Sequence, residues 1–199
     1  MMYFDGQHLL EARYAELCEK LAAHKLPRWN SLPDIELYMD QVVAVMEKLL
    51  SLYQDNYAED SRLITPSIIN NYVKLKIIPA PVKKRYSREH LAYLIIICIL
   101  KQTLAISSIT RIITTQLATK SIEALYNDFC NIYEQVVPFV DFSEHEVDIE
   151  NAKERLESKE DMNAFVLKSA ILSTTSKFIC EGILSVVNNY SEQKQENKK

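Results

Sequence analysis

The residue types best suited to chemistry do not gather into a catalytic set. Glu144-His145-Glu146, followed by Asp148 and Glu150, comes nearest to a metal site. A helical HExxH zinc site needs two histidines four residues apart on one face, and only one histidine stands here, so a solvated acidic loop is the simpler reading. The four cysteines, Cys18, Cys98, Cys130 and Cys180, lie 80, 32 and 50 residues apart with no CxxC pair. Set among apolar residues, they read as buried free thiols of a reducing compartment rather than as zinc ligands. His90, beside Glu89 at a helix start, suits a capping contact better than catalysis. The chain has two glycines, Gly6 and Gly182, neither in a cluster. Dinucleotide fingerprints and P-loops need glycine so that backbone can approach phosphate, so those enzyme classes are excluded. The expectation is a non-enzymatic protein with no metal and no cofactor.

The charge pattern points elsewhere. The net charge of −4 conceals a basic segment. Between Arg62 and Lys120 there are ten Lys or Arg and one acid, Glu89, a net +9. The flanks, 1–61 and 121–199, carry −6 and −7. A cationic module of this size is the usual footprint of a polyanion-binding surface. The competing reading is that the basic middle packs against its acidic flanks and neutralises itself. Lys83-Lys84-Arg85 follow Pro79 and Pro81, in a loop where side chains normally point to solvent.

The elements that must position these residues read as helices. Apolar residues recur at helical spacing over 8–25, and again from an Asp34 N-cap through Leu37, Val42, Met46, Leu49 and Tyr53. Residues 54–63 form a polar loop. Thr65-Pro66 is a strong start signal for a helix over 66–75, whose apolar side is Ile68, Ile69, Tyr72 and Val73. Pro79 and Pro81 stop its continuation, and Val82–Tyr86 forms one extended arm of a small wing. Ser87 caps a helix that is apolar nearly all round from Leu91 to Leu100, which makes it the most buried element. Ser107 or Ser108 caps the next helix, and another runs from Ser121 to Val137. A long helix runs from near Glu146–Asp148 to about Tyr190. Its apolar seam has one series through Met162, Ser169, Ser176, Ile183 and Tyr190, and a second through Phe165, Leu172, Ile179 and Val186. Residues 191–199 read as a polar, disordered tail. Two glycines cannot supply the tight turns of a large antiparallel sheet, so the fold class is all-α.

Thr65-Pro66-Ser67-Ile68-Ile69-Asn70-Asn71-Tyr72-Val73-Lys74, then Ile77-Ile78-Pro79, then Arg85-Tyr86-Ser87-Arg88-Glu89-His90-Leu91, and finally Ile106-Ser107-Ser108-Ile109, resemble the MerR-type winged helix-turn-helix. The resemblance covers about fifty residues. It implies that 66–75 is a recognition helix and that 79–86 is the wing. Lys76 stands where that family carries glycine, and Asn70 where it carries arginine. Over a longer span, Trp29, the stretch Leu32-Pro33-Asp34-Ile35-Glu36-Leu37-Tyr38-Met39-Asp40-Gln41-Val42, Asn70–Lys74 and Lys84–Leu91 resemble domain of unknown function 1836. This is an uncharacterised family occurring mainly in low-GC Gram-positive bacteria, with no assigned activity.

Together these readings give an expected organisation. Residues 1–61 are N-terminal helices packing on the helix-turn-helix, 62–120 the basic winged module and 121–190 a helical region for dimerisation or an effector of unspecified identity. The expected function is that of a transcription regulator binding duplex DNA. Ser67, Asn70 and Asn71 are candidate base contacts, because an Asn amide pairs bidentately with adenine. Lys74, Lys76, Lys83, Lys84, Arg85 and Arg88 are candidate phosphate contacts, which position without reading sequence. A homodimer in the cytoplasm is expected, with no leader segment and no membrane span. The rival expectation is a structural or adaptor protein whose basic surface takes an acidic protein partner.

Overall fold

The structure, a computed structural model, describes residues 7–54, 62–136 and 159–196. Among these residues the chain is all-α. The helices are α1 (Gln7–Ala23), α2 (Met39–Leu49), α3 (Ser51–Gln54), α4 (Pro66–Lys74), α5 (Arg88–Leu100), α6 (Ile106–Leu117), α7 (Ile122–Val136) and α8 (Lys159–Glu196), with a 3-10 turn at Trp29–Ser31. Extended pairing among the described residues is confined to two isolated antiparallel bridges, Leu37 with Tyr86 and Val82 with Arg85.

The axis of the fold is α5. Every residue from Leu91 to Leu100 is buried. A helix apolar on all sides must be enclosed, and α2, α6, α7 and α8 pack around it. Its N-terminus is fixed by His90, itself buried, whose Nδ1 accepts the Ser87 backbone N–H at 3.0 Å. The ring meets the Tyr86 ring edge-on at 5.3 Å between centroids. Burial lowers the His90 pKa, and its Nε2 has no hydrogen-bond partner among the described residues. His90 therefore ties the base of the 79–86 loop to α5.

A second buried polar cluster joins the N-terminal helices to α7. His24 Nε2 lies 3.0 Å from the Leu49 carbonyl oxygen, which can only accept, so this nitrogen carries the proton of the neutral ring. Nδ1 then accepts from the Tyr133 hydroxyl at 2.9 Å, and Tyr133 accepts from Tyr53 at 2.8 Å. Each group in the chain has a defined donor or acceptor role.

Several local expectations change. Asp34 caps no helix, because Leu37 is drawn into the core and pairs with Tyr86 through two backbone hydrogen bonds of 2.8 Å. The helix begins instead at Met39, after Tyr38, whose N–H is taken by Gln41 Oε1 at 2.9 Å. It breaks at Leu50 before α3. Likewise, Ser107 and Ser108 lie inside the first turn of α6, whose N-cap is Ala105. Cys98 and Cys130 are buried free thiols, but Cys180 is an exposed one on the outer side of α8.

The largest revision concerns α8. Its buried face comprises Leu167, Ala170, Ile171, Thr174, Thr175, Phe178 and Ile179, and it packs on α1, α5 and α7. Of the expected seam positions Phe165, Leu172 and Ile179, only Ile179 is buried, while Phe165 is 51% and Leu172 38% exposed. The buried stripe carries small residues that permit close approach. Thr174 and Thr175 donate their hydroxyls to the Ala170 and Ile171 carbonyls at 3.0 and 3.1 Å, so no polar group is stranded. A Cβ at Gly182 would come 2.6 Å from Leu17 Cδ1 of α1, which explains the glycine. The helix continues to Glu196, so residues 191–196 are helical rather than a disordered tail. No helix among the described residues is long and apolar enough to cross a membrane.

Candidate nucleic-acid interface

Helix α4 is delimited as its sequence dictates. Thr65 Oγ1 accepts the Ile68 N–H at 3.2 Å, and Pro66 occupies the first helical position. At the other end, Lys76 N–H bonds to the Val73 carbonyl at 2.9 Å and Ile77 N–H to the Tyr72 carbonyl at 3.0 Å. This is a Schellman cap, and it requires a left-handed residue between them. Lys76 fills that place with φ 56°. Ile69 and Tyr72 are buried, with Ile68 and Val73 packed against the core at its edge. The opposite face leaves Ser67, Asn70, Asn71 and Lys74 exposed, at the i, i+3, i+4, i+7 spacing of one helical stripe.

The loop that follows is tighter than an extended arm. Arg85 N–H bonds to the Val82 carbonyl at 2.9 Å, and Lys83 and Lys84 between them have φ of 49° and 63°. Two consecutive left-handed residues define a two-residue hairpin turn of the primed kind, usually built from Asn and Gly. Both lysines are exposed at its tip.

The six basic candidates divide into two groups. Among the described residues no carboxylate pairs with Lys74, Lys76, Lys83 or Lys84, and all four are exposed. Arg85 and Arg88 are held by the 29–38 segment. Arg85 Nε lies 3.9 Å from Glu36, and Arg88 Nη2 lies 3.2 Å from Asp34 with its guanidinium over the Trp29 ring. Arg62 and Lys120 pair with Glu47 and Asp128. Self-neutralisation by the flanks thus takes part of the basic segment and leaves the lysines of α4 and the turn.

Sequence reasoning missed the apolar surface beside the turn. Ile35 and Val82 are each 66% exposed and Tyr38 is 50% exposed. An ideal strand would set Ile35 and Leu37 on one face, so the exposure of Ile35 two residues from the buried Leu37 follows from the bend at Ile35 and has no signal in the local pattern. The described residues hold no group of three or more His, Cys, Asp or Glu able to bind a metal ion. Glu144-His145-Glu146 lies outside the described residues.

The model of a protein family described as domain of unknown function (DUF1836) matches residues 27–129. The chain belongs to that family. The DUF1836 span starts two residues before the Trp29–Ser31 turn and reaches into α7, so it contains α4, the hairpin turn and the whole of α5. Helix α1, which packs on α8, and α8 itself lie outside it. No curated protein matches the chain, and no solved structure matches it.

Proposed function

We propose that this DUF1836 protein is a DNA-binding transcription regulator of MerR-like type. In this reading α2 and α4 form the helix-turn-helix, α4 enters the major groove, and the 79–86 loop acts as a short wing against the backbone. Ser67, Asn70 and Asn71 meet base edges. Lys74, Lys76, Lys83 and Lys84 meet phosphates, while Arg85 and Arg88 stay on Glu36 and Asp34.

One observation carries the reading. Lys76, Lys83 and Lys84 occupy left-handed backbone positions, where glycine avoids a cost of roughly 1–2 kcal/mol per residue. Three cations held at such positions, exposed and without carboxylate partners among the described residues, support a role for their charge outside the chain. The homodimer belongs to the same proposal. Phe165 and Leu172, exposed on α8 seven residues apart, offer a two-fold surface that would set two α4 helices against a palindromic site.

The rival is an adaptor that docks an acidic protein on this surface. Arg85 and Arg88 favour it in one respect, since both already hold carboxylates. Titration of the protein into a labelled random duplex at several salt concentrations separates the two. The DNA reading expects log K to fall linearly with log salt. Absence of duplex binding at low salt favours the adaptor.

A further inference from the structure

The C-terminal end of α4, residues 76–80 and the outer side of α6 enclose a cleft of about 720 Å³. That volume is in the range of small-molecule sites. Its apolar wall includes Ile77, Ile78 and Ile113, all buried. Tyr93, from α5, also lines it and is only 9% exposed. No residue among those described makes a hydrogen bond to the Tyr93 hydroxyl. Burial and the nearby Glu89 both raise the phenol pKa, so the hydroxyl keeps its proton and is a donor. The ring is largely buried while the hydroxyl itself keeps some contact with solvent, so it is open to an acceptor that enters the cleft.

The rim supplies charge. Lys74 and Lys76 line the cleft, and neither has a carboxylate partner among the described residues. Two helix C-termini also end here, and each brings about half a negative charge. Their carbonyls are partly occupied, by Lys76 and Ile77 N–H on α4 and by Ala118 and Thr119 N–H on α6. Two whole ammonium charges outweigh what remains, so the cleft selects an anion at its rim and hydrocarbon within.

We propose that this cleft binds a small amphiphilic carboxylate, its hydrocarbon against Ile77, Ile78 and Ile113, its carboxylate on Lys74 and Lys76, and the Tyr93 hydroxyl donating to it. Resting on the DNA reading above, the consequence is regulatory. Lys74 serves both ligand and phosphate, so ligand and duplex exclude each other, and each weakens the other by the same factor.

The test uses decanoate, below its micellar concentration, titrated calorimetrically into the full chain without DNA. One saturable site per chain is expected, with decanol and acetate each weaker by about tenfold or more. Lys74→Gln combined with Lys76→Gln, and separately Tyr93→Phe, should weaken decanoate. Ala118→Phe fills the cleft from an exposed wall position, so it should abolish binding while leaving the urea midpoint unchanged. No saturable binding, equal binding of decanol, or binding indifferent to Ala118→Phe each overturns the proposal. Duplex affinity with and without decanoate is read separately. Decanoate binding without any duplex binding keeps the cleft and removes the DNA reading. Duplex binding without decanoate binding does the reverse.

Discussion

The Arg85 guanidinium carbon lies 4.7 Å from the centroid of the Tyr38 ring, and its Nη2 donates to the Tyr38 hydroxyl at 2.9 Å. Arg85 is thus folded back on the 34–38 segment, while Lys83 and Lys84 stand free at the tip of the same turn. The three charges are not equivalent. Replacing Lys83, Lys84 and Arg85 together by Ala should flatten the salt dependence of duplex binding by nearer two phosphate contacts than three, at about 0.9 in slope per contact. Arg85→Ala alone should leave the slope almost unchanged. Fluorescence anisotropy across a salt series reads both. A triple variant that binds like the parent removes the wing from the interface.

The left-handed lysines carry a stability prediction opposite in sign to the binding one. Lys84→Gly should raise stability by roughly 0.5–1 kcal/mol, because relief of the left-handed strain exceeds the added entropy of the unfolded chain. It should weaken duplex binding at the same time. Urea denaturation measures the first effect. A loss of stability would mean that the Lys84 side chain supports the fold.

Asn70 sits mid-stripe on α4, exposed and away from the packed side. Asn70→Ala should relax preference at one base pair by roughly 1–3 kcal/mol and leave non-specific affinity nearly unchanged. Competition among single-position operator variants is the measurement. A uniform loss on all duplexes would reassign Asn70 to a phosphate.

His24 and His90 both have pKa values lowered by burial from the ordinary 6.5. Each is therefore neutral in the fold and binds a proton more readily once unfolded. The stability they confer is complete above pH 6.5 and is lost as pH falls below it towards their folded values. Urea midpoints at pH 7.5 and 5.5 should show the decline, since carboxylates titrate lower still. A flat profile across that interval would mean that neither ring is held neutral.

Leu172 is exposed in the single chain, so Leu172→Glu should leave the monomer folded, with stability changed by no more than about 0.5 kcal/mol. Under the dimer proposal, sedimentation should show a folded monomer with weakened duplex binding. A variant that remains dimeric moves the interface away from this face of α8.

Much of this architecture is written locally. The unbroken apolar run from Leu91 to Leu100 forces a central helix, because such a helix is stable only when enclosed. Thr65-Pro66 fixes the start of α4 through one side-chain acceptor and one absent N–H, and the apolar spacing after it fixes which face is buried. The charge segregation is equally a property of the chain order. Other features depended on partners remote in sequence. Asp34 reads as the N-cap of a helix through Leu37, yet Leu37 pairs with Tyr86 and the segment becomes extended, because a residue 49 positions away offers its backbone. Which stripe of α8 faces inward was not settled by heptad counting, since two adjacent stripes both qualify. The close approach of α1, marked by Leu17 against Gly182, selects the one with small residues. The division of the cations was likewise a tertiary outcome. Arg85 and Arg88 meet Glu36 and Asp34 only once the 34–38 segment is laid beside the turn, and Lys83 and Lys84 are left exposed because the hairpin carries them past those carboxylates.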